Sequence, residues 1–219
     1  MSNRTVMVDL DDTLIDFTNM FLQRAKKLFY ESHRDYIVSN HLSYDVSSNW
    51  LTRDDIFNYD YRIVFEQYYE KQFGFDKETG RKDCEAFLNV CFDDITFYNY
   101  VLLTPEFYKV LDYIKVKQDE GYKIILNTKL NSLTMVKSKI NMLESLKLDT
   151  SFDEIIFDVE CTIGHSEKPT HYDIMIDDSP KNITNYLNKN EKGIVMMPLR
   201  EWNKHLLNDL SYKTRIAII

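Results

Sequence analysis

The sequence predicts an α/β protein in which helices flank a parallel sheet and a small helical segment is inserted near the amino terminus. Two short apolar segments carry this prediction. Val6 to Val8 and Tyr172 to Ile176 each have the length of a buried strand, and each ends on acidic residues. Strand-like and helix-like segments alternate after residue 100, which indicates parallel strands joined by crossover helices.

Composition limits the classes of function. The chain has 219 residues and 44% hydrophobic content, enough for a sizeable core in one domain with an insertion or in two small ones. A formal charge of −8 argues against binding duplex nucleic acid through a basic face, although a local site can still bind a small anion. No apolar stretch of membrane-spanning length and no signal-peptide pattern are present, so we expect a cytoplasmic protein without membrane contact. A homodimer is compatible with these properties.

The three cysteines favour neither a disulfide scaffold nor a zinc site. Cys84, Cys91 and Cys161 lack a CxxC spacing and have no histidine at metal-ligand intervals. Reduced thiols are therefore expected.

The first acidic segment, Asp9-Leu10-Asp11-Asp12-Thr13, follows the first predicted strand directly. Open α/β sheets bind ligands at the carboxyl ends of their strands, so Asp9 is placed at such an end and Asp11 in the loop beyond it. Two carboxylates directed at one point suit a metal ion and a nucleophile together. Asp177 and Asp178 form a second acidic pair after a predicted strand.

The first acidic segment has two other interpretations. An EF-hand beginning at Asp9 requires Gly in place of Leu14 and Glu in place of Met20, and the absence of both excludes it. The segment can also serve as a helix N-cap cluster, and this alternative stays open. The second acidic pair favours a functional site.

An inserted helical cap is predicted over residues 17–100, which leaves 1–16 and 101–219 as the α/β core. Apolar residues from Phe17 to Tyr30 recur at helical spacing, and an aromatic-rich region with several short helices follows. The predicted short helices span residues 53–58, 61–73 and 81–92.

The core resumes with a helix predicted to start at Thr104-Pro105 and to end before Gly121, a C′ glycine. A strand then arrives at Thr128. The remaining predicted elements are a helix at 132–146, a strand at 152–157, a helix at 182–187, a strand at 193–197, an amphipathic helix at 201–210 and an edge strand within 213–219.

These motifs resemble those of the haloacid dehalogenase (HAD) superfamily. Asp9 to Thr13 matches its DxDxT signature, and Ile176-Asp177-Asp178 matches its terminal acidic motif. Thr128 and Lys168 match its two intermediate motifs in order and spacing; Lys181, a competing lysine, follows the acidic pair and does not match. The resemblance implies a Rossmann-like core whose inserted cap acts as a lid.

The resemblance also implies a phosphatase mechanism that uses Mg²⁺. Asp9 would be the nucleophile and a metal ligand. Asp11 would be the acid and base, with its backbone carbonyl on the metal, and Asp177 would complete the metal site. The dehalogenase branch typically lacks the second Asp, so Asp11 favours phosphate over halide chemistry.

The other motif residues take supporting roles under the same resemblance. Thr128 and Lys168 would bind the phosphoryl group. Asp178 would orient Lys168 or a metal-bound water.

Within the superfamily, several segments look like the 5′(3′)-deoxyribonucleotidase family: residues 9–17, Asn49-Trp50, 97–105 and 176–180. This likeness implies a nucleoside monophosphate as the small phosphorylated substrate, with its base between Phe17 and Trp50. The chain departs from that family at Lys129, where a small hydroxyl residue is usual, and at Asp12-Thr13, where Gly-Val is common. Two alternatives stay open: a phosphatase or phosphotransferase acting on a sugar or another small phosphate, and a non-catalytic protein that binds metal and phosphate.

Overall fold

A computed structural model describes residues 4–39, 50–58, 60–73, 77–93, 95–130, 134–159 and 171–219. The chain divides into two compact units. The core unit comprises Met1–Phe17 and Val101–Ile219, and the cap unit comprises Thr18–Tyr100. The insertion leaves the core unit after Phe17 and returns to it at Val101. Within the core unit the two connections are joined, because Asp16 N donates to Leu102 O at 2.8 Å.

The core unit is built on a six-stranded sheet in the order β3-β2-β1-β4-β5-β6, in which every pair is parallel. The predicted Rossmann-like parallel α/β sheet is confirmed by this topology. The strands are β1 (Thr5–Val8), β2 (Lys123–Leu130), β3 (Glu154–Val159), β4 (Ile174–Ile176), β5 (Ile194–Met197) and β6 (Ile216–Ile218). The two strands followed by acidic residues, β1 and β4, are neighbours at the centre.

The described helices are α1 (Phe17–Ser39), α2 (Tyr61–Phe73), α3 (Lys77–Asp93), α4 (Phe107–Asp119), α5 (Thr134–Ser145) and α6 (Pro180–Lys189). Short 3₁₀ helices occur at Arg53–Asp55, Ile95–Asn99 and Lys204–Asn208. No helix among the described residues is both long and apolar enough to cross a bilayer.

Gly121 ends α4 and turns the chain into β2. Its φ of 82° lies in the left-handed region, where glycine carries no Cβ penalty. Its N–H donates to Gln118 O at 2.8 Å. The predicted C′ glycine is confirmed.

The start of α4 differs from the prediction. The hydroxyl of Thr104 donates to Thr13 O at 2.9 Å, and its backbone N–H donates to Leu14 O at 3.0 Å. Thr104 is therefore bonded to the loop after β1, Pro105 lies in a turn, and Glu106 takes the N-cap position. Thr104 therefore does not cap the helix, because its side chain and backbone are engaged in tertiary hydrogen bonds.

The amphipathic helix predicted at 201–210 is wrong. Residues 201–203 form a turn, and only Lys204–Asn208 is helical, with 3₁₀ geometry. The Asn203 side chain accepts a hydrogen bond from Arg200 N and donates to Asp178 O and Pro198 O, all at 2.9 Å. These bonds pull Asn203 inward and interrupt the helix.

The cap unit is held by aromatic packing. The Phe29 ring is fully buried, and ring centroids of Trp50, Tyr69 and Phe87 lie 5.3–5.5 Å from it. Phe21 stacks on Phe92 at 4.9 Å. Nearly all of these contacts join α1 to α2 and α3, which explains why aromatic residues recur through the insertion.

Candidate active site

Asp9 stands directly after β1, at the carboxyl edge of the sheet. Its N–H donates to Ile176 O of β4 at 2.8 Å, so the chain is still paired to its neighbour when it reaches the carboxylate. Asp177 follows β4 at the same level. Carboxylate oxygens of Asp9, Asp177 and Asp178 all lie within 4.8 Å of one another, and all three residues are buried. We call these three residues the acid cluster.

The acid cluster fits a divalent cation. Burial raises the pKa of Asp178 well above its usual value, and the neighbouring carboxylates of Asp12, Asp9 and Asp177 raise it further. Buried like charges at this separation repel each other unless a cation or a proton compensates them. Carboxylate oxygens are the ligands that Mg²⁺ prefers.

Hydrogen bonds fix both carboxylates of the second acidic pair. Ser179 N donates to Asp177 Oδ1 at 2.8 Å, and the Asn182 amide donates to Oδ2 at 3.1 Å. Ser179 is also the N-cap of α6, whose first residue is Pro180. Trp202 Nε1 donates to Asp178 Oδ2 at 2.9 Å. Donors at the start of α6 therefore orient the Asp177 carboxylate, and the Trp202 indole orients that of Asp178.

Asp11 is directed towards a lysine that sequence reasoning missed. Lys139 of α5 is 1% exposed, and its Nζ lies 2.5 Å from Asp11 Oδ2. The same Nζ donates to Thr128 Oγ1 at 2.6 Å and to Lys129 O at 3.1 Å. Thr128 Oγ1 in turn lies 3.4 Å from Asp11 Oδ2. The predicted acid/base and the predicted phosphate-binding hydroxyl thus meet at one buried ammonium.

The missed lysine had a detectable signal. Met135, Lys139 and Met142 are buried at positions i, i+4 and i+7, the spacing of one helix face. A lysine on an otherwise apolar face is seldom buried without a partner. Ile140, the apolar residue next to Lys139, is by contrast 38% exposed.

The other predicted site residues are placed as follows. Lys168 falls in 160–170, outside the described residues, so its phosphate-binding role stays a prediction. The Asp11 side chain contacts Lys139, while Asp178, expected only to orient other groups, lies in the acid cluster. Asp11 Oδ1 is buried and has no hydrogen-bond partner in the part of the chain that the structure describes.

Asn127 is a second residue that the sequence did not single out. Val8 pairs with Leu126 and with Ile176, so the next residues along, Asn127, Asp9 and Asp177, lie in one row across three adjacent strands. Aligned residues of parallel strands project to the same face. Asn127 is fully buried, yet neither polar atom of its side chain has a hydrogen-bond partner among the described residues.

The two residues expected to hold a nucleobase occupy different units. Phe17 is the last residue of the core unit and is partly exposed at the start of α1. Trp50 belongs to the cap unit, where Nε1 donates to Leu22 O at 2.9 Å and the ring centroid lies 5.5 Å from that of Tyr68. Trp50 therefore has a packing role in the cap, and its role in base binding stays a prediction.

No protein-family model matches the sequence, and no curated protein is significantly similar to it. Among solved structures, the chain is similar to a haloacid dehalogenase-like hydrolase from Xanthomonas campestris (16% identity, 89% of this chain and 82% of that chain, TM-score 0.44). It is also similar to a family IA, variant 3 HAD hydrolase from Entamoeba histolytica (14%, 95% and 90%, 0.49). A third is CbbY from Rhodobacter sphaeroides in complex with phosphate (12%, 92% and 88%, 0.48).

Proposed function

We propose that the protein is a Mg²⁺-dependent phosphomonoesterase that works through an aspartyl-phosphate on Asp9. The main support is that a buried acid cluster and a hydrogen-bonded acid/base candidate lie at the same edge of the sheet. Asp9 belongs to a buried acid cluster suited to a cation, and Asp11, two residues on, is held by Lys139 and Thr128. A metal site, a nucleophile and an acid/base are the parts that this reaction requires.

Asp9, Asp177 and Asp178 would hold the Mg²⁺. When bound, the ion supplies positive charge that lets an anionic carboxylate approach an anionic phosphate ester. The chain's own residues carry out the remaining steps.

In the first step, an Asp9 carboxylate oxygen forms a bond to phosphorus as the bond to the leaving oxygen breaks. A protonated Asp11 gives its proton to that oxygen, and the alcohol departs. A water molecule then attacks the aspartyl-phosphate, Asp11 accepts the water's proton, and inorganic phosphate and free Asp9 are restored. Lys139 and Thr128 provide donors beside Asp11 for the phosphoryl oxygens.

Release of p-nitrophenol from p-nitrophenyl phosphate tests the proposal. We expect activity with Mg²⁺, its loss with a chelator, and a fall of roughly 10³-fold or more in Asp9→Asn, since an amide is a poor nucleophile. Asp112→Asn, an exposed position on α4, is the matched control and should keep full activity. Substantial activity in Asp9→Asn would eliminate the covalent mechanism.

The substrate class proposed is a (deoxy)nucleoside monophosphate, and the support is the sequence resemblance around Phe17 and Trp50. A stacking aromatic contributes about 1–3 kcal/mol per base, so Trp50→Ala should raise KM for a nucleoside monophosphate roughly 5- to 150-fold. KM for p-nitrophenyl phosphate should change much less. Equal changes on both substrates with a lowered melting temperature would assign Trp50 to cap packing alone.

A Mg²⁺-dependent phosphate-release screen separates the alternatives. Turnover of sugar phosphates in preference to nucleoside monophosphates would favour a different phosphatase or phosphotransferase. Binding of Mg²⁺ and phosphate without turnover of any ester would indicate a non-catalytic protein. The cytoplasmic location and the homodimer stay predictions from the sequence.

A further inference from the structure

Arg200 is a buried arginine in the segment after β5, and the reaction described above does not use it. It is 6% exposed. Its guanidinium makes a bidentate ion pair with Glu106, with Nη1 3.2 Å from Oε1 and Nη2 2.9 Å from Oε2. The same group also donates to the backbone carbonyl of Asp12, from Nη2 at 2.8 Å and from Nε at 3.3 Å.

Asp12 has an unusual backbone conformation that these hydrogen bonds support. Its φ is 55°, in the left-handed region that non-glycine residues seldom adopt and that costs of order 1–3 kcal/mol. Its N–H donates to Ile15 O at 2.7 Å, and its carbonyl receives both bonds from Arg200. Hydrogen bonds therefore hold both the backbone N–H and the carbonyl of Asp12, the residue next to Asp11.

The segment that carries Arg200 also contacts the second acidic loop. Trp202 Nε1 donates to the Asp178 carboxylate, and Asn203 Nδ2 donates to the Asp178 carbonyl, both at 2.9 Å. Arg200 N donates to Asn203 Oδ1 at 2.9 Å, which links the two halves of the segment. Residues 200–203 thus join the loop that bears Asp11 to the loop that bears Asp178.

We propose that Arg200 is a positioning residue for the acid/base Asp11. It acts through the Asp12 backbone, and Glu106 balances its charge. The inference rests on the proposed phosphatase function. A planar guanidinium can serve a carboxylate and a carbonyl at once, whereas a lysine ammonium offers a single point charge.

The dependence of the activity loss on the leaving group distinguishes a residue that positions the acid Asp11 from one that only stabilises the fold. An alkyl phosphate releases a basic alkoxide that needs a proton from Asp11, whereas p-nitrophenyl phosphate releases an acidic phenol that needs little help. Asp11 also serves as the base in the second step, which the two substrates share, so kcat/KM, which ends at departure of the leaving group, is the quantity to compare. A misplacement of about 1 Å can cost 10²-fold, so Arg200→Met should lower kcat/KM for an alkyl phosphate by roughly 10²-fold. The fall in kcat/KM for p-nitrophenyl phosphate should be less than about tenfold.

Two variants complete the experiment. Arg215→Met is the matched control, because Arg215 also donates to backbone carbonyls, Leu187 O at 2.9 Å and Asn190 O at 2.7 Å, at the far side of α6. It should leave both kcat/KM values unchanged. Arg200→Lys should show part of the selective loss on the alkyl phosphate. This variant keeps the experiment decisive if Arg200→Met does not fold.

Equal losses of kcat/KM on the two substrates, or no loss on either, would overturn the positioning role while leaving the phosphatase proposal intact. A wild-type protein that hydrolyses neither ester would overturn both. A selective loss on the alkyl ester in Arg200→Met, absent from Arg215→Met, supports the inference.

Discussion

The core and cap units stabilise their interiors in different ways. The core unit buries charged groups at its sheet edge, among them Asp9, Asp178, Lys139 and Arg200. The cap unit buries rings, centred on Phe29. Directional hydrogen bonds and ion pairs specify one arrangement, whereas ring packing depends mainly on volume and tolerates changes of direction. Core substitutions should therefore affect activity most, and cap substitutions should affect folding most.

Phe29→Ala is expected to have the largest effect on stability. The ring is 0% exposed, so its removal leaves a cavity and should lower the free energy of unfolding by about 3–5 kcal/mol. Urea unfolding at constant pH measures the change. Tyr30→Ala on the same helix is the control, because Tyr30 is 48% exposed and its loss should cost little. A similar cost for both would show that the cap is not centred on Phe29.

Lys139→Met should have a large effect on catalysis even though Lys139 lies outside the acid cluster. Removal of one positioned donor typically costs about 10²–10³-fold in kcat, and Lys139 contacts both Asp11 and Thr128. Steady-state hydrolysis of p-nitrophenyl phosphate measures the loss. Lys137→Met, an exposed lysine on the same helix, should retain full activity. If the two variants are equally active, Lys139 has only a structural role.

Asn127→Leu separates stability from function within the core. The Asn127 amide has no partner among the described residues, and a buried polar group left so costs about 1–3 kcal/mol, so replacing the amide by an apolar side chain of similar size should raise the melting temperature. If the amide binds a phosphoryl oxygen beside Asp9, the same variant should lose activity. A lowered melting temperature would instead show that the amide is hydrogen-bonded in solution.

The smallest effect is expected at Cys84 in the cap unit. Burial raises the pKa of this thiol to about 12, and nearby acidic side chains raise it further. The reactive thiolate is then about 10⁻⁴ of the population at pH 8 and increases tenfold per pH unit towards pH 12. Alkylation of the Cys84 peptide by iodoacetamide, followed by mass spectrometry, should be slow at pH 8 and fast in urea. Equal rates would place Cys84 on an accessible surface.

Local patterns predicted much of the fold and part of the candidate site. Apolar runs ending on acids located β1 and β4, and Gly121 located the end of α4, because each signal lies within a few residues. Lys139 shares a helix face with Met135 and Met142, which indicates burial, but its partners Asp11 and Thr128 depend on how α5 packs against β2, and no local pattern reports that packing.

Long-range hydrogen bonds account for the clearest error. The sequence from residue 201 to 210 has helical periodicity, but Arg200 and Asn203 bond to Asp12 and Asp178 instead. These partners are 188 and 25 residues away. Periodicity carries no information about such partners.

The left-handed backbone of Asp12 is a conformation that glycine would adopt without steric cost. Aspartate is among the few other residues that tolerate this region. The backbone requirement is thus met by a different side chain, at φ 55°.

The position of Lys139 on a regular helix has a consequence for ligand binding. Its side chain loses rotamer freedom when α5 packs on the sheet, because it lies among the buried side chains of that helix, Met135, Met142 and Leu143. A lysine on an unstructured segment would lose that entropy only when an anion arrives, which weakens binding. Folding has already ordered the cation here, so the proposed phosphate ligand would meet a preorganised charge.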